Sequence, residues 1–153
     1  MLRMSRLTDY GTVVLAHLAS NSAKCLSAAE VADASGIALP TVSKLLKSLA
    51  KAELVHSTRG AHGGYRLARQ PQQISATDVI DALEGPVSIT ECSASGSNCN
   101  YEHNCNVGNA WQRINVAIRR ALDDISLADL QRVNSPVPRF NLGGIPISIA
   151  GKS

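Results

Sequence analysis

Cys92, Cys99 and Cys105 lie within the fourteen-residue run Cys-Ser-Ala-Ser-Gly-Ser-Asn-Cys-Asn-Tyr-Glu-His-Asn-Cys, and they are three of the chain's four cysteines. Ser, Asn and Gly fill most positions between them, so the run has no apolar face to bury and reads as a loop. Such a loop needs something to hold it, and three thiolates can do that. Six and then five residues separate successive cysteines. Structural zinc sites usually pair cysteines about two to four residues apart, and neither gap matches. A disulfide would leave one cysteine over. Soft thiolates spread along a loop suit an iron–sulfur cluster, which is a larger body than a single ion. On the residues alone three chemistries stay open: an iron–sulfur cluster, whose fit to the spacing is best, zinc, or redox-active thiols. Cys25 stands far off in sequence and reads as a small buried hydrophobe.

The elements that hold this loop must be mostly helical. The chain has 153 residues, 44% of them hydrophobic in type and 3% aromatic. That is enough for one domain, or two small ones, around an aliphatic core, and abundant Ala and Leu favour helix. No apolar run reaches about 18 residues, so no membrane span is expected. The apolar stretch near the N-terminus contains His17 and lacks a small-residue cleavage site, which makes it a poor signal peptide. A cytoplasmic protein is therefore expected. Thiols stay reduced there, which turns clustered cysteines towards metal or redox chemistry. The net charge of +3 is unevenly spread: residues 1–69 hold nine Lys or Arg against four Asp or Glu, residues 70–153 six against eight. A basic N-terminal half suits a nucleic-acid face, although a solvated basic surface has the same composition.

Tyr10, Val13, Val14, Leu15 and Leu18 fall at helical spacing behind Thr8, read as an N-cap, which gives a first helix over 8–20. Ser27-Ala-Ala-Glu30 is a capping box opening a second helix, and Gly36 stops it. Pro40 suits the first position of a third helix. That helix carries Val42, Leu45, Leu46 and Leu49 on one side, with Thr41, Ser43, Lys44, Lys47 and Lys51 elsewhere. Two strands, Leu54–Thr58 and Tyr65–Ala68, flank Arg59-Gly-Ala-His-Gly-Gly64, whose glycines suit a tight turn. A helix-turn-helix followed by a hairpin with a basic tip is a winged helix, and DNA binding is the expectation. After a linker at 70–73, Ser75 caps a helix through Val79, Ile80 and Leu83 that Gly85-Pro86 ends. Beyond the cysteine loop, Trp111, Ile114, Ile118, Ala121, Leu122 and Ile125 form the stripe of a helix over 109–125, about 25 Å long. It invites the twin helix of a second subunit, although it could also cover its own core. Ser126 caps a short last helix, and 134–153, with three prolines and three glycines, reads as irregular.

The sequence here resembles the iron–sulfur winged-helix transcription regulators, the IscR- and NsrR-like family, from about Met4 to Leu130. The likeness rests on Leu7-Thr-Asp-Tyr-Gly11, Arg59-Gly-Ala-His-Gly-Gly-Tyr65, Leu83-Glu-Gly-Pro86, the three cysteines and Leu127-Ala-Asp-Leu130. It leans towards the branch that regulates SUF-type cluster assembly genes and towards the NsrR-type branch. The resemblance implies a 2Fe-2S cluster, or alternatively 4Fe-4S, held by Cys92, Cys99 and Cys105 and by a fourth ligand that is not cysteine. In IscR this is a histidine three residues after the last cysteine. Gly108 stands there in this chain, so that arrangement does not carry over. In NsrR-like members an aspartate at the start of the first helix can serve; Asp9 matches it, and His103 is the alternative. The plain role of Asp9 is a first-turn acid worth about 0.3–1 kcal/mol to the helix. The resemblance also puts the third helix in the major groove and the wing near the minor groove. Thr41, Ser43 and Lys44 are then candidates for base edges or adjacent phosphates, Lys47 and Lys51 for phosphates, and Arg59 for the minor groove. Some relatives are acidic where Ser43 stands, so operator preference can differ.

The expected fold is mainly α with a small β-hairpin wing. Residues 1–70 would form a winged helix-turn-helix domain, 71–133 the cluster loop and dimerisation helix, and 134–153 a tail. The expected function is a homodimeric regulator, a repressor of SUF-type genes, that binds a palindromic DNA operator under cluster control. The alternatives are a nitric-oxide or redox sensor of the same fold and a cluster-free or zinc-stabilised DNA-binding protein. No phosphate-binding glycine loop or acid–base pair suggests an enzyme or a small-molecule substrate.

Overall fold

A computed structural model describes residues 4–89, 107–132, 140–142 and 145–147. Helix α1 (Arg6–Ser20) starts two residues earlier than expected, because Ser5 rather than Thr8 accepts the N–H of Leu7 as the cap. Thr8 is instead buried in the first turn. Helix α2 (Ala28–Ser35) opens on the Ser27–Glu30 capping box and closes on Gly36 at φ 68°. Helix α3 (Leu39–Lys51) takes Leu39 as its first residue and Pro40 as its second, which still suits a residue without an N–H. Val42, Leu45, Leu46 and Leu49 are all buried on its inner face.

Strands β1 (Val55–Thr58) and β2 (Gly64–Leu67) pair antiparallel, with Val55 opposite Leu67 and Thr58 opposite Gly64. The wing is stitched to the body through Leu26: its N–H donates to the Tyr65 carbonyl at 2.9 Å, and its carbonyl accepts the Tyr65 N–H at 2.7 Å. Gly64 permits this approach, since a Cβ there would sit 2.6 Å from the Leu26 carbonyl oxygen.

A single 3-10 turn, Pro71–Gln73, fills the linker and leads to α4 (Ala76–Leu83), capped by Ser75 and Asp78. Helix α5 (Gly108–Asp123) is followed by α6 (Leu127–Gln131), whose Ser126–Asp129 box has the same design. Leu127 donates its N–H to Ile74 and Ala76 donates to Ile125, so the return from α5 is sewn to the start of α4. The core is aliphatic and continuous. Val14, Leu15 and Leu18 of α1 meet the α3 leucines, Leu54, Ile74, Val79 and Leu127.

The α5 stripe is divided. Trp111 and Ile114 are 40% and 44% exposed, while Ile118, Ala121, Leu122 and Ile125 are half-buried. In the tail, β3 (Phe140–Leu142) and β4 (Ile145–Ile147) pair antiparallel, with Phe140 opposite Ile147. Part of a segment expected to be irregular is thus paired strand.

Candidate DNA-reading face and cluster segment

Helix α3 owes its position to its four buried leucine and valine side chains, which turn the opposite face outward. Lys44, Lys47 and Lys51 are exposed on it, and Thr41 and Ser43 are half-buried at its start. The tight α2–α3 turn depends on Gly36, whose positive φ would strain any side chain. Arg59 is exposed where the wing turns, followed by Gly60 at φ 112°. At Gly63 a Cβ would overlap the Thr58 carbonyl, so this turn has room only for hydrogen. On the wing itself, exposed His56 and Arg66 stand opposite each other. Arg66 is a further basic group on the same hairpin as Arg59, and strand alternation in the sequence could have found it. These cations lie along α3 and the wing, the two elements that reach DNA in a winged helix.

Cys92, Cys99, Cys105 and His103 lie outside the described residues. Among the described residues no group of three or more His, Cys, Asp or Glu comes together. Cys25 is half-buried rather than fully enclosed, and Gly108 is the first residue of α5. The two flanks of the cysteine segment meet on Asp81. Asp81 of α4 accepts the N–H of Val87 at 3.2 Å on one side. On the other it accepts two N–H bonds from Arg119 of α5, at 3.3 and 2.8 Å. One carboxylate therefore anchors both the chain leading into the segment and the helix leading out of it. The Asp81 hydrogen bond holds Arg119 above its ordinary pKa.

Three residues further on, Glu84 reaches α1. Its Oε1 accepts the N–H of Ser5 at 2.7 Å and the hydroxyl of Thr8. These bonds, Thr8's first and then Ser5's, hold the Glu84 carboxyl below its ordinary value. Beside them Leu83 fills the space left by the absent Cβ of Gly11. The segments Thr8-Asp9-Tyr10-Gly11 and Leu83-Glu84, far apart in sequence, are in contact. Asp81 and Glu84 were not singled out as site residues, since their partners lie 38 and 79 residues away and no local pattern announces such bonds.

Asp9, next to Thr8, is exposed and has no hydrogen-bond or ion-pair partner among the described residues. It stands on the rim of an apolar groove of about 460 Å³ between α1, α4 and the α5–α6 return, lined by Met4, Val13, Val79, Ile80 and Leu122 among others.

Comparison with known proteins agrees with this architecture. The chain is 33% identical over 139 residues to Protein rrf2 of Nitratidesulfovibrio vulgaris (strain Hildenborough), covering 90% of this chain and 93% of that one. The structure of CymR (YrzC), the global cysteine regulator of B. subtilis, is similar at 32% identity and a TM-score of 0.65, over 86% of this chain and 97% of that chain. T. potens IscR is similar at 32% identity and a TM-score of 0.62, over 84% and 85%. The family described as Rrf2, iron-dependent transcriptional regulator, matches residues 4–132, from the cap of α1 to the end of α6. Regulators of this family bind DNA and typically act as dimers, in keeping with the basic faces of α3 and the wing. With its winged helix, its capped α4–α6 frame and its cysteine segment all inside the matched region, the chain belongs to the Rrf2 family of DNA-binding transcription regulators.

Proposed function

We propose that this regulator binds an iron–sulfur cluster through Cys92, Cys99 and Cys105, and that the cluster sets its affinity for operator DNA. The observation that carries this reading is the anchoring of both flanks of the cysteine segment on Asp81, in the helix whose last turn grips α1. A change in what the cysteines hold would be felt where the DNA-binding domain begins. The family's description as iron-dependent and the likeness to IscR support the choice of iron.

The residues fit such a group. Three thiolates supply soft ligands, and Asp9 offers a harder oxygen without a partner among the described residues, with His103 as the alternative fourth ligand. When bound, a 2Fe-2S cluster, favoured over 4Fe-4S, would supply a redox-labile centre. A carboxylate ligand would be the easiest of the four to lose. Loss at Asp9 would free α1 from the segment, on the same subunit or across a homodimer whose contact includes the open half of α5. On DNA, Thr41, Ser43 and Lys44 would face base edges or neighbouring phosphates, Lys47 and Lys51 phosphates, and Arg59 the minor groove of a palindromic site. Repression of SUF-type assembly genes in the cytoplasm is the biological role this reading favours.

Anaerobic purification tests the cofactor. Brown or reddish protein with iron and acid-labile sulfide is expected, and Cys92→Ser, Cys99→Ser and Cys105→Ser should each lose the colour. Asp9→Ala should load less stably and bind operator differently from the parent; if it matched the parent in both, Asp9 would be excluded. Colourless protein containing zinc would favour the structural role for the cysteines. The likeness to the global cysteine regulator CymR favours a second reading, in which the same fold answers another signal without a cluster. Colourless, metal-free protein with operator binding intact would support it.

A further inference from the structure

We propose that Glu84 is a positioning residue that transmits the state of the cysteine segment to helix α1. Glu84 is the C-cap of α4. A negative charge there faces the helix's own carbonyl ends, which is locally unfavourable. Its place is explained by what it reaches: the Ser5 N–H and the Thr8 hydroxyl, 79 and 76 residues away. Leu83, beside it, occupies the notch at Gly11, so α4 grips the first turns of α1 by a polar and an apolar contact together. On the other side Gly85, at φ 91°, turns the chain towards Val87 and its bond to Asp81. A shift of the chain at 87–89 therefore pulls on Glu84, and Glu84 pulls on the turn that contains Asp9. Helix α1 packs in turn on α2 and α3, which carries the displacement to the DNA-reading face. The device couples two sites through one pair of hydrogen bonds whose breakage leaves each helix intact.

This inference rests on the reading that the cysteine segment senses a cluster, and one experiment separates the two. Operator affinity is measured for the cluster-loaded and cluster-free forms of the full chain, anaerobically, in the parent, Glu84→Ala, Glu84→Gln and Thr8→Val. Cluster absorbance per subunit and melting curves are recorded alongside. In the parent the two forms should differ by at least about fivefold, the lower end of ordinary coupling. Glu84→Ala should bring that ratio close to one with cluster absorbance unchanged. Glu84→Gln keeps an acceptor oxygen and should restore most of it. Thr8→Val, which removes one of the two bonds to Glu84, should lower the ratio in the same direction, and combining it with Glu84→Ala should add little to Glu84→Ala alone, which already removes that bond. A parent-like ratio in Glu84→Ala, or in Thr8→Val should the former not fold, overturns the role of Glu84 while leaving the sensor reading intact. A ratio of one in the parent itself overturns both.

Discussion

Gly64→Ala tests the stitching of the wing to the body. A Cβ at this position would lie 2.6 Å from the Leu26 carbonyl oxygen and 2.7 Å from its carbon, and the backbone there has φ 150°. The obstacle is backbone and cannot rotate away, so the wing must move off Leu26. That movement breaks the two bonds between Leu26 and Tyr65, at 2.9 and 2.7 Å, each worth about 0.5–1.5 kcal/mol net. Backbone strain adds about 1–3 kcal/mol. Gly60→Ala is the control: φ is 112° there, but nothing lies within 4 Å of the added carbon. It should carry the strain without the broken bridge. The two variants should therefore differ by about 1–3 kcal/mol, the two hydrogen bonds alone. In a chain of this size that is on the order of 2–12 °C in melting temperature, measured by calorimetry or urea unfolding. Operator affinity should fall further in Gly64→Ala, because Arg59 and Arg66 ride on the displaced hairpin. Equal stability in the two variants would refute the close approach at Leu26 as the reason for glycine at position 64.

On the DNA side, Lys47→Ala should weaken operator binding and lower the slope of log affinity against log salt by about 0.9 if it meets one phosphate; an unchanged slope would remove Lys47 from the contact set. Asp81→Ala should cost only about 1 kcal/mol in urea unfolding, since the Arg119 pair is partly solvated, yet it should speed amide exchange at Val87. Arg119→Lys should not reproduce the parent, since a lysine cannot give the forked pair of bonds. Acid should destabilise the protein through three carboxylates, among the described residues, whose folded-state pKa is depressed. Glu30 is held down by the Ser27 N–H and then its hydroxyl, Glu84 by Thr8 and then Ser5, and Asp129 by the Ser126 hydroxyl and then its N–H. Their contribution is complete above the ordinary values of 4.5 for Glu and 3.8 for Asp, and is lost as pH falls through the lower folded values. Glu84→Gln should flatten the acid limb of a stability-against-pH curve, and an unchanged limb would exclude its share.

The helices were legible because their signals are local. Ser27 with Glu30, Gly36, Ser75 and Ser126 each mark a helix end within four residues, and apolar spacing set the inner face of α3; on α1 it found Val14, Leu15 and Leu18, but Tyr10 and Val13 at the same spacing are exposed. The start of α1 differs from the expectation because Ser5 supplies the cap, while the Thr8 hydroxyl donates to Glu84 at the far end of α4, a bond no local pattern announces. The α5 stripe was legible as apolar but not as divided, since only packing distinguishes Ile118 from Ile114. For the site, the type and spacing of the cysteines suit a cluster best, with zinc and redox thiols as the other chemistries open to them. The contacts of Glu84 and Leu83 with α1 and of Asp81 with Arg119 were not legible, because each joins segments at least 38 residues apart.

Control of DNA binding by a cluster on Cys92, Cys99 and Cys105 is tested most directly by an anaerobic gel-shift titration of one operator with cluster-loaded and cluster-free protein, with absorbance following cluster occupancy in the same samples. The two forms should differ in affinity by at least about fivefold, with the shift tracking occupancy. Equal affinity at full and zero occupancy would contradict the account.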